Sequence, residues 1–260
     1  ENARRASCQS NENQLGLAIT QYTQDADEQY PAVSAANAVP GQFWYCGWAS
    51  EVYPYVKSTG VYKCPDDPTN SLPFTNANNN GATGTAVPVS YAFNIDLLDP
   101  SALTTAYPAA SAALAAVQAP ASTVMLTEVQ GMQADVTNVQ NDPLEAGSNW
   151  YGSESVDGGD GGPGYINKPT GQGIVARYAS GNSSSSGLGN PPVMTLSDQD
   201  GRHTDGSNFL LSDGHVKWLR ATAVSPGLSN SSQTGTQGGR YAAGTGALSA
   251  GNFAATFSLN

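Results

Sequence analysis

The stretch Asp200-Gly-Arg-His-Thr-Asp-Gly-Ser-Asn-Phe-Leu-Leu-Ser-Asp-Gly-His-Val-Lys-Trp-Leu219 reads as a β-hairpin with a defined approach. Ser207 to Ser212 is apolar enough for a strand, and His215 to Arg220 returns as a second one. Asp213-Gly214 lies between them, a pair that tolerates positive φ and is among the strongest short-range hairpin signals. Phe209 and Leu211 share one face of the first strand, and Val216 and Trp218 share one face of the second. That alternation predicts a sheet with one face packed on another layer.

The other end of the chain supplies that layer. Glu1 to Gln29 reads as one long helix, with Cys8, Asn11, Leu15, Ala18, Ile19, Tyr22 and Ala26 on a single stripe. Its length as a helix would be about 43 Å at ~1.5 Å per residue. Arg4 and Arg5 near the start, and Asp25, Asp27 and Glu28 near the end, oppose the helix dipole. No strong N-cap precedes the apolar run. These features predict that the helix continues upstream of Glu1.

Composition narrows the class. With 260 residues and 39% apolar content, the chain can bury a core. Charged residues make up only 12%, and 29 Gly and 16 Pro join many Ser, Asn and Thr in long loops. This predicts a single α+β domain: residues 1-29 as the helix, residues 30-260 as a β-rich body with Gly/Ser/Asn-rich insertions. No run of 18 apolar residues occurs. A net charge of −11, with scattered basic residues, argues against a nucleic-acid partner.

Between the ends, Pro31 to Gly41 is a connection, Ser50 to Val56 a short amphipathic helix, and Pro65 to Pro88 a loop. Ser90 to Ile95 and Thr123 to Val129 read as strands. Ala109 to Gln118 is Ala-rich and reads as a helix. Gln130 to Asn190 and Ser225 to Gly251 carry too much Gly and Ser for regular helix.

Several segments together resemble a known family. They are Glu1-Asn-Ala-Arg-Arg-Ala-Ser-Cys-Gln-Ser-Asn11, Gln14-Leu-Gly-Leu-Ala18, Tyr22-Thr-Gln-Asp-Ala-Asp-Glu-Gln-Tyr-Pro31, Tyr55-Val-Lys-Ser-Thr-Gly-Val-Tyr-Lys-Cys-Pro-Asp-Asp-Pro68, Ser90-Tyr-Ala-Phe-Asn94, Ala119-Pro-Ala-Ser-Thr-Val-Met-Leu-Thr-Glu128 and Ala254-Ala-Thr-Phe257. With His203, nine intervening residues and Asp213-Gly214, the chain resembles the prepilin-type proteins that carry a His-X9-Asp-Gly domain. The resemblance implies a pilin-like fold, one long N-terminal helix on an antiparallel sheet. It also implies a non-catalytic subunit of a type IV pilus-like or type II secretion pseudopilus-like filament. Partners would be copies of itself or other pilin-like subunits. Localisation would be extracellular or at the cell surface, after export and anchoring in the inner membrane. Members carry a basic leader and an apolar helical half for that anchoring, and residues 1-260 include no counterpart of it.

The three cysteines leave the pairing open. Cys8–Cys64 would pin the helix to the sheet, Cys46–Cys64 is the local alternative, and three buried thiols are the third.

Candidate chemistry falls in three places. Asp198, Asp200 and Asp205, and the Gly-rich loop with Asp157 and Asp160, are candidate calcium ligands, since calcium takes six to eight oxygens from flexible loops. The same Asp residues serve turns equally well. His203 and His215 would hold a transition metal with Asp205 and Asp213, or act as acid and base in a hydrolase. The preferred reading makes them structural, with His203 bonded to a backbone group or an Asp carboxylate and His215 paired across the strand. Trp44 and Trp48, in the aromatic run from Phe43, would stack on sugar rings if exposed; the preferred reading is a satellite core under a long loop, or a subunit contact. The alternative function is therefore a secreted calcium-dependent carbohydrate- or surface-binding module.

Overall fold

A computed structural model of the chain describes residues 1–31, 48–76, 82–94, 97, 113–128, 133–137, 155–157, 162–163, 202–220, 223–225, 247–248, 251–252 and 254–256. The protein is α+β, with an N-terminal helix packed on a mostly antiparallel sheet.

The long helix α1 runs from Asn2 to Asp25. It stops four residues short of Gln29 because Asp27 and Glu28 adopt left-handed backbone, with φ of 50° and 60°. Its start is uncapped by any side chain, and no acidic residue lies in its first turn. The two arginines that oppose its dipole serve as tethers instead. Arg4 binds Asp66 at 2.9 Å, and Arg5 lies over the Trp218 ring at 5.6 Å. At the other end Asp25 accepts a hydrogen bond from the Tyr55 hydroxyl at 3.0 Å.

The buried stripe of α1 is Cys8, Glu12, Leu15, Gly16, Ala18, Ile19 and Thr23. Asn11, Tyr22 and Ala26 are only half-buried. Gly16 faces the sheet, where a Cβ would lie 3.0 Å from Leu210 Cδ1. Its small size sets how closely helix and sheet approach. A second helix, α2 (Trp48–Val56), packs beside α1, with Tyr22 and Tyr55 edge to face at 6.1 Å.

The strands are β1 (Leu72–Asn76), β2 (Ala82–Pro88), β3 (Tyr91–Asn94), β4 (Val124–Glu128), β5 (Gln133–Ala134), β6 (Ser155–Asp157), β7 (Gly162–Pro163), β8 (Ser207–Leu211), β9 (Val216–Leu219), β10 (Val224–Ser225), β11 (Ala247–Leu248), β12 (Gly251–Asn252) and β13 (Ala255–Thr256). Among the described residues the main sheet has the order β7-β6-β3-β4-β8-β9. The β3–β6 pair is parallel and its other pairs are antiparallel. A bulge between Val124 and Leu126 shifts the β4–β8 register.

Three expectations from sequence need correction. Residues 65–88 are not all loop, because β1 and β2 pair as a hairpin with Phe74 opposite Gly84. The helix expected over Ala109 to Gln118 is absent where it is described. Ala113 bridges Gln29, Leu114 donates to the Glu28 carbonyl at 2.8 Å, and only a 3-10 turn follows. Those ties to the end of α1 outweigh the helix propensity of alanine. Finally, β8 is buried along its whole length, with Leu210 packed against Gly16 of α1, and β9 carries the half-exposed pattern.

The core joins both layers. Trp48 stacks near Phe93 at 6.2 Å and Tyr62 at 6.0 Å, with Leu15, Ile19, Leu126 and Phe209 around them. Among the described residues no helix is long and apolar enough to cross a membrane.

Candidate functional site

The hairpin is a three-residue connection. Leu211 N–H donates to the His215 carbonyl at 2.8 Å, and Gly214 N–H to the Leu211 carbonyl at 2.9 Å. Of Asp213-Gly214 only the glycine is left-handed, with φ of 89°. This is the arrangement of a turn closed by a glycine bulge. Asp213 uses its side chain to hold the turn, accepting from the His215 backbone at 3.0 Å and contacting His215 Nδ1 at 2.9 Å. Partial burial pushes the Asp213 carboxyl up, but these His215 hydrogen bonds outweigh it and leave it below the usual range. His215 thus pairs across the hairpin through its backbone carbonyl and not through its side chain. It is exposed and serves the turn.

His203 lies at the opposite end of β8. Asn208 to Leu211 separate its turn from that of Asp213, so the two ends of the motif do not form one site. The approach to β8 is a tight turn in which Thr204 and Asp205 are both left-handed, with φ of 51° and 62°. His203 N–H donates to the Gly206 carbonyl at 2.8 Å, and the Trp218 indole donates to the His203 carbonyl at 2.8 Å. This places the imidazole inward, with no exposure.

There it meets a carboxylate that the sequence did not single out. His203 Nε2 lies 2.9 Å from Glu128 Oε1 at the end of β4. Glu128 also accepts from Asn208 N–H at 2.9 Å and from the Asn208 amide at 3.2 Å. With the carboxylate as common acceptor, Nε2 carries the proton. On the same side, Cys64 Sγ lies 3.6 Å from Nε2. Cys64 is bonded to Cys8 of α1, with Cα atoms 5.0 Å apart. The disulfide and the His203–Glu128 pair thus meet at one point between helix and sheet.

A second buried carboxylate completes the clamp. Asp67 accepts from the Ser90 hydroxyl at 2.6 Å and from the Thr69 backbone and hydroxyl at 2.9 and 2.6 Å. Ser90 Oγ in turn accepts from Cys64 N–H at 2.9 Å. The Arg202 guanidinium approaches Asp67 at 3.6 Å and the Ser90 carbonyl at 3.4 Å. Cys-Pro-Asp-Asp is therefore a polar turn with Cys64 and Asp67 buried, Asp66 facing Arg4 and Asp67 facing Arg202.

Glu12 stands apart from these pairs. It is fully buried on α1, and neither carboxyl oxygen has a hydrogen-bond partner. Burial raises its pKa well above 4.5, and nearby Glu128 adds to this, against an opposing pull from Arg202. The Tyr91 hydroxyl is likewise pushed up, chiefly by burial and then by Glu12 and Glu128.

The other sequence candidates do not gather here. Asp205 is exposed on its turn, and Asp157 lies in β6. Asp198, Asp200, Asp160, Trp44 and Cys46 lie outside the described residues. Trp48 is fully buried in the main core, in line with the preferred core reading and against its alternative as a ligand-stacking residue. The His203 ring faces an Asp carboxylate as expected, Asp66 at 3.3 Å, but its shortest contact is to Glu128, which was not expected. Glu12, Asp66, Asp67, Glu128 and Arg202 were not singled out from sequence. One signal was available for Glu12: it lies four residues after Cys8, on the same helical face.

The fold and site define a class: an α+β protein whose N-terminal helix is clamped to its sheet by a disulfide and a buried charge cluster. Residues 1–89 match the family model SBP_bac_10, described as "Protein of unknown function (DUF1559)". That stretch contains α1, both bonded cysteines, Asp66 and Asp67, but not Glu128, Arg202 or His203. No curated protein matches the chain, and no solved structure matches it.

Proposed function

We propose that this protein is a structural, non-catalytic subunit of an extracellular filament of the type IV pilus or type II secretion pseudopilus kind. One observation carries the reading. Between Arg5 and Asp25 the only charged residue of α1 is Glu12, and Glu12 is buried. The outward face, with Ser7, Ser10, Asn13, Gln14, Leu17, Thr20, Gln21 and Gln24, carries no charge at all. An ordinary solvated helix face is rich in charge. An uncharged face of small and amide side chains, with Leu17 66% exposed, suits close packing against neighbouring helices. Clamping α1 to the body would let such contacts hold the whole subunit. The His203 clamp is a structural device in this reading.

The test is to express the native coding sequence in its own cell and place single cysteines on α1. Leu17→Cys and Gln24→Cys, each alone, should give disulfide-linked dimers from surface material. A control at Lys217→Cys, on the exposed edge of β9, should not. Labelled filaments should appear by electron microscopy. Monomeric surface protein with no α1 cross-links would overturn the reading.

A further inference from the structure

His203 offers a second ring nitrogen, and its surroundings are unusual. In the neutral ring with its proton on Nε2, Nδ1 presents a lone pair. That atom is buried and has no hydrogen-bond partner. It faces two carboxylates: Asp66 Oδ2 at 3.3 Å and Glu1 Oε1 at 3.6 Å. Asp66 Oδ2 is also buried without a hydrogen-bond partner. The three atoms lie within 4.8 Å of one another. In that tautomer three electron-rich atoms turned toward one point repel each other unless a proton or a metal ion lies between them.

We infer that Glu1, Asp66 and His203 form a binding site for a divalent transition metal ion, with zinc the best fit. Zinc binds imidazole nitrogen and carboxylate oxygen at about 2.0–2.2 Å, and the edges of that tetrahedron are about 3.3–3.6 Å long. The two separations from Nδ1 fall on those edges. They are long for hydrogen bonds and right for neighbouring ligands of one ion. The outer contacts fit as well. A metal-bound histidine ordinarily donates its other N–H to a carboxylate, which fixes its tautomer and orientation. Glu128 occupies that place, itself held by Asn208. Asp66 is oriented by Arg4, which binds Oδ1 at 2.9 Å and leaves Oδ2 for the ion. Calcium is a poor fit, because it takes six to eight oxygens and no imidazole. The ion would join the first turn of α1 to the turn before β8, beside the Cys8–Cys64 bond.

The experiment uses the full chain without reductant, so that the disulfide sulfurs stay bonded to each other. Zinc binding is measured by calorimetry, and cobalt substitution by its visible spectrum. One zinc per chain is expected, with tetrahedral cobalt bands and a Tm that rises with zinc concentration. Asp66→Asn and Glu1→Gln, which leave the His203–Glu128 pair intact, should each weaken zinc binding at least tenfold. Asp205→Asn, on the exposed turn, should change nothing, and calcium should not raise the Tm through this site. Nitrogen shifts of His203 should show metal on Nδ1. Absence of zinc binding, affinity unchanged in both ligand variants, or a His203 ring that stays protonated on both nitrogens in saturating zinc would each overturn the site.

Discussion

Nε2 of His203 lies 2.9 Å from Oε1 of Glu128, and neither side chain touches solvent. Seventy-five positions separate them in the chain. The pair joins the turn entering β8 to the end of β4, across the strands that α1 covers. Removing one partner leaves the other buried and uncompensated. Glu128→Ala and His203→Ala should each cost about 3–5 kcal/mol. In a double-mutant cycle the two losses should be far from additive. Additive losses in urea unfolding would mean that the contact contributes nothing as a pair.

The Cys8–Cys64 bond closes a loop across 56 positions. Chain-entropy arguments give it about 4 kcal/mol of stabilisation. The double variant Cys8→Ala with Cys64→Ala should therefore unfold at distinctly lower denaturant. Its α1 amides should exchange with solvent faster than those of β4 and β8. Uniform acceleration across the sheet would argue that the bond does not act on the helix.

Two glycines near the hairpin should respond differently to alanine. At Gly206 a Cβ would lie 2.5 Å from Trp218 Cζ2 and 2.8 Å from the Leu219 carbonyl oxygen. The second of these is backbone and cannot swing aside. Gly206→Ala should cost about 2–3 kcal/mol and disturb the Trp218 indole bond to His203. At Gly214 nothing lies within 4 Å, but φ is 89°. Gly214→Ala should cost about 1 kcal/mol through backbone strain alone. Thermal unfolding monitored by Trp218 fluorescence separates the two, and equal losses would refute the steric account.

The sequence exposed the helix and the hairpin because both are local. Periodicity in α1 and Asp-Gly in the turn depend on neighbours a few residues away. The clamp was hidden for the opposite reason. Asp67 and Glu128 are acidic, and an acidic residue in a sequence reads as surface. Only the convergence of α1, the Cys64 turn, β4 and the turn before β8 makes their burial tolerable. The same effect misled the reading of β8. Asn208 lies on the face opposite Phe209 and Leu211 and looks solvated in the sequence, yet it is buried and held by Glu128. The β1–β2 hairpin was missed because its composition is that of a loop, and pairing rather than burial defines it.

Glu12 gives the clearest pH signature. Its folded pKa is raised, chiefly by burial and then by Glu128, so the folded protein holds this proton more tightly than the unfolded chain does. By linkage, stability falls with rising pH wherever the folded state binds the extra proton. The contribution is whole below the ordinary value of 4.5 and is lost as pH climbs from there through the raised folded value. Replacing the carboxyl with an apolar side chain of similar length removes both the titration and two unpartnered oxygens. Glu12→Met should therefore exceed the wild type by about 1–3 kcal/mol near pH 8, with the gap shrinking toward pH 4. Urea midpoints across that range read the difference directly. A variant less stable than wild type at pH 8 would mean that Glu12 is ionised there and held by Arg202, with the attraction of that guanidinium outweighing burial.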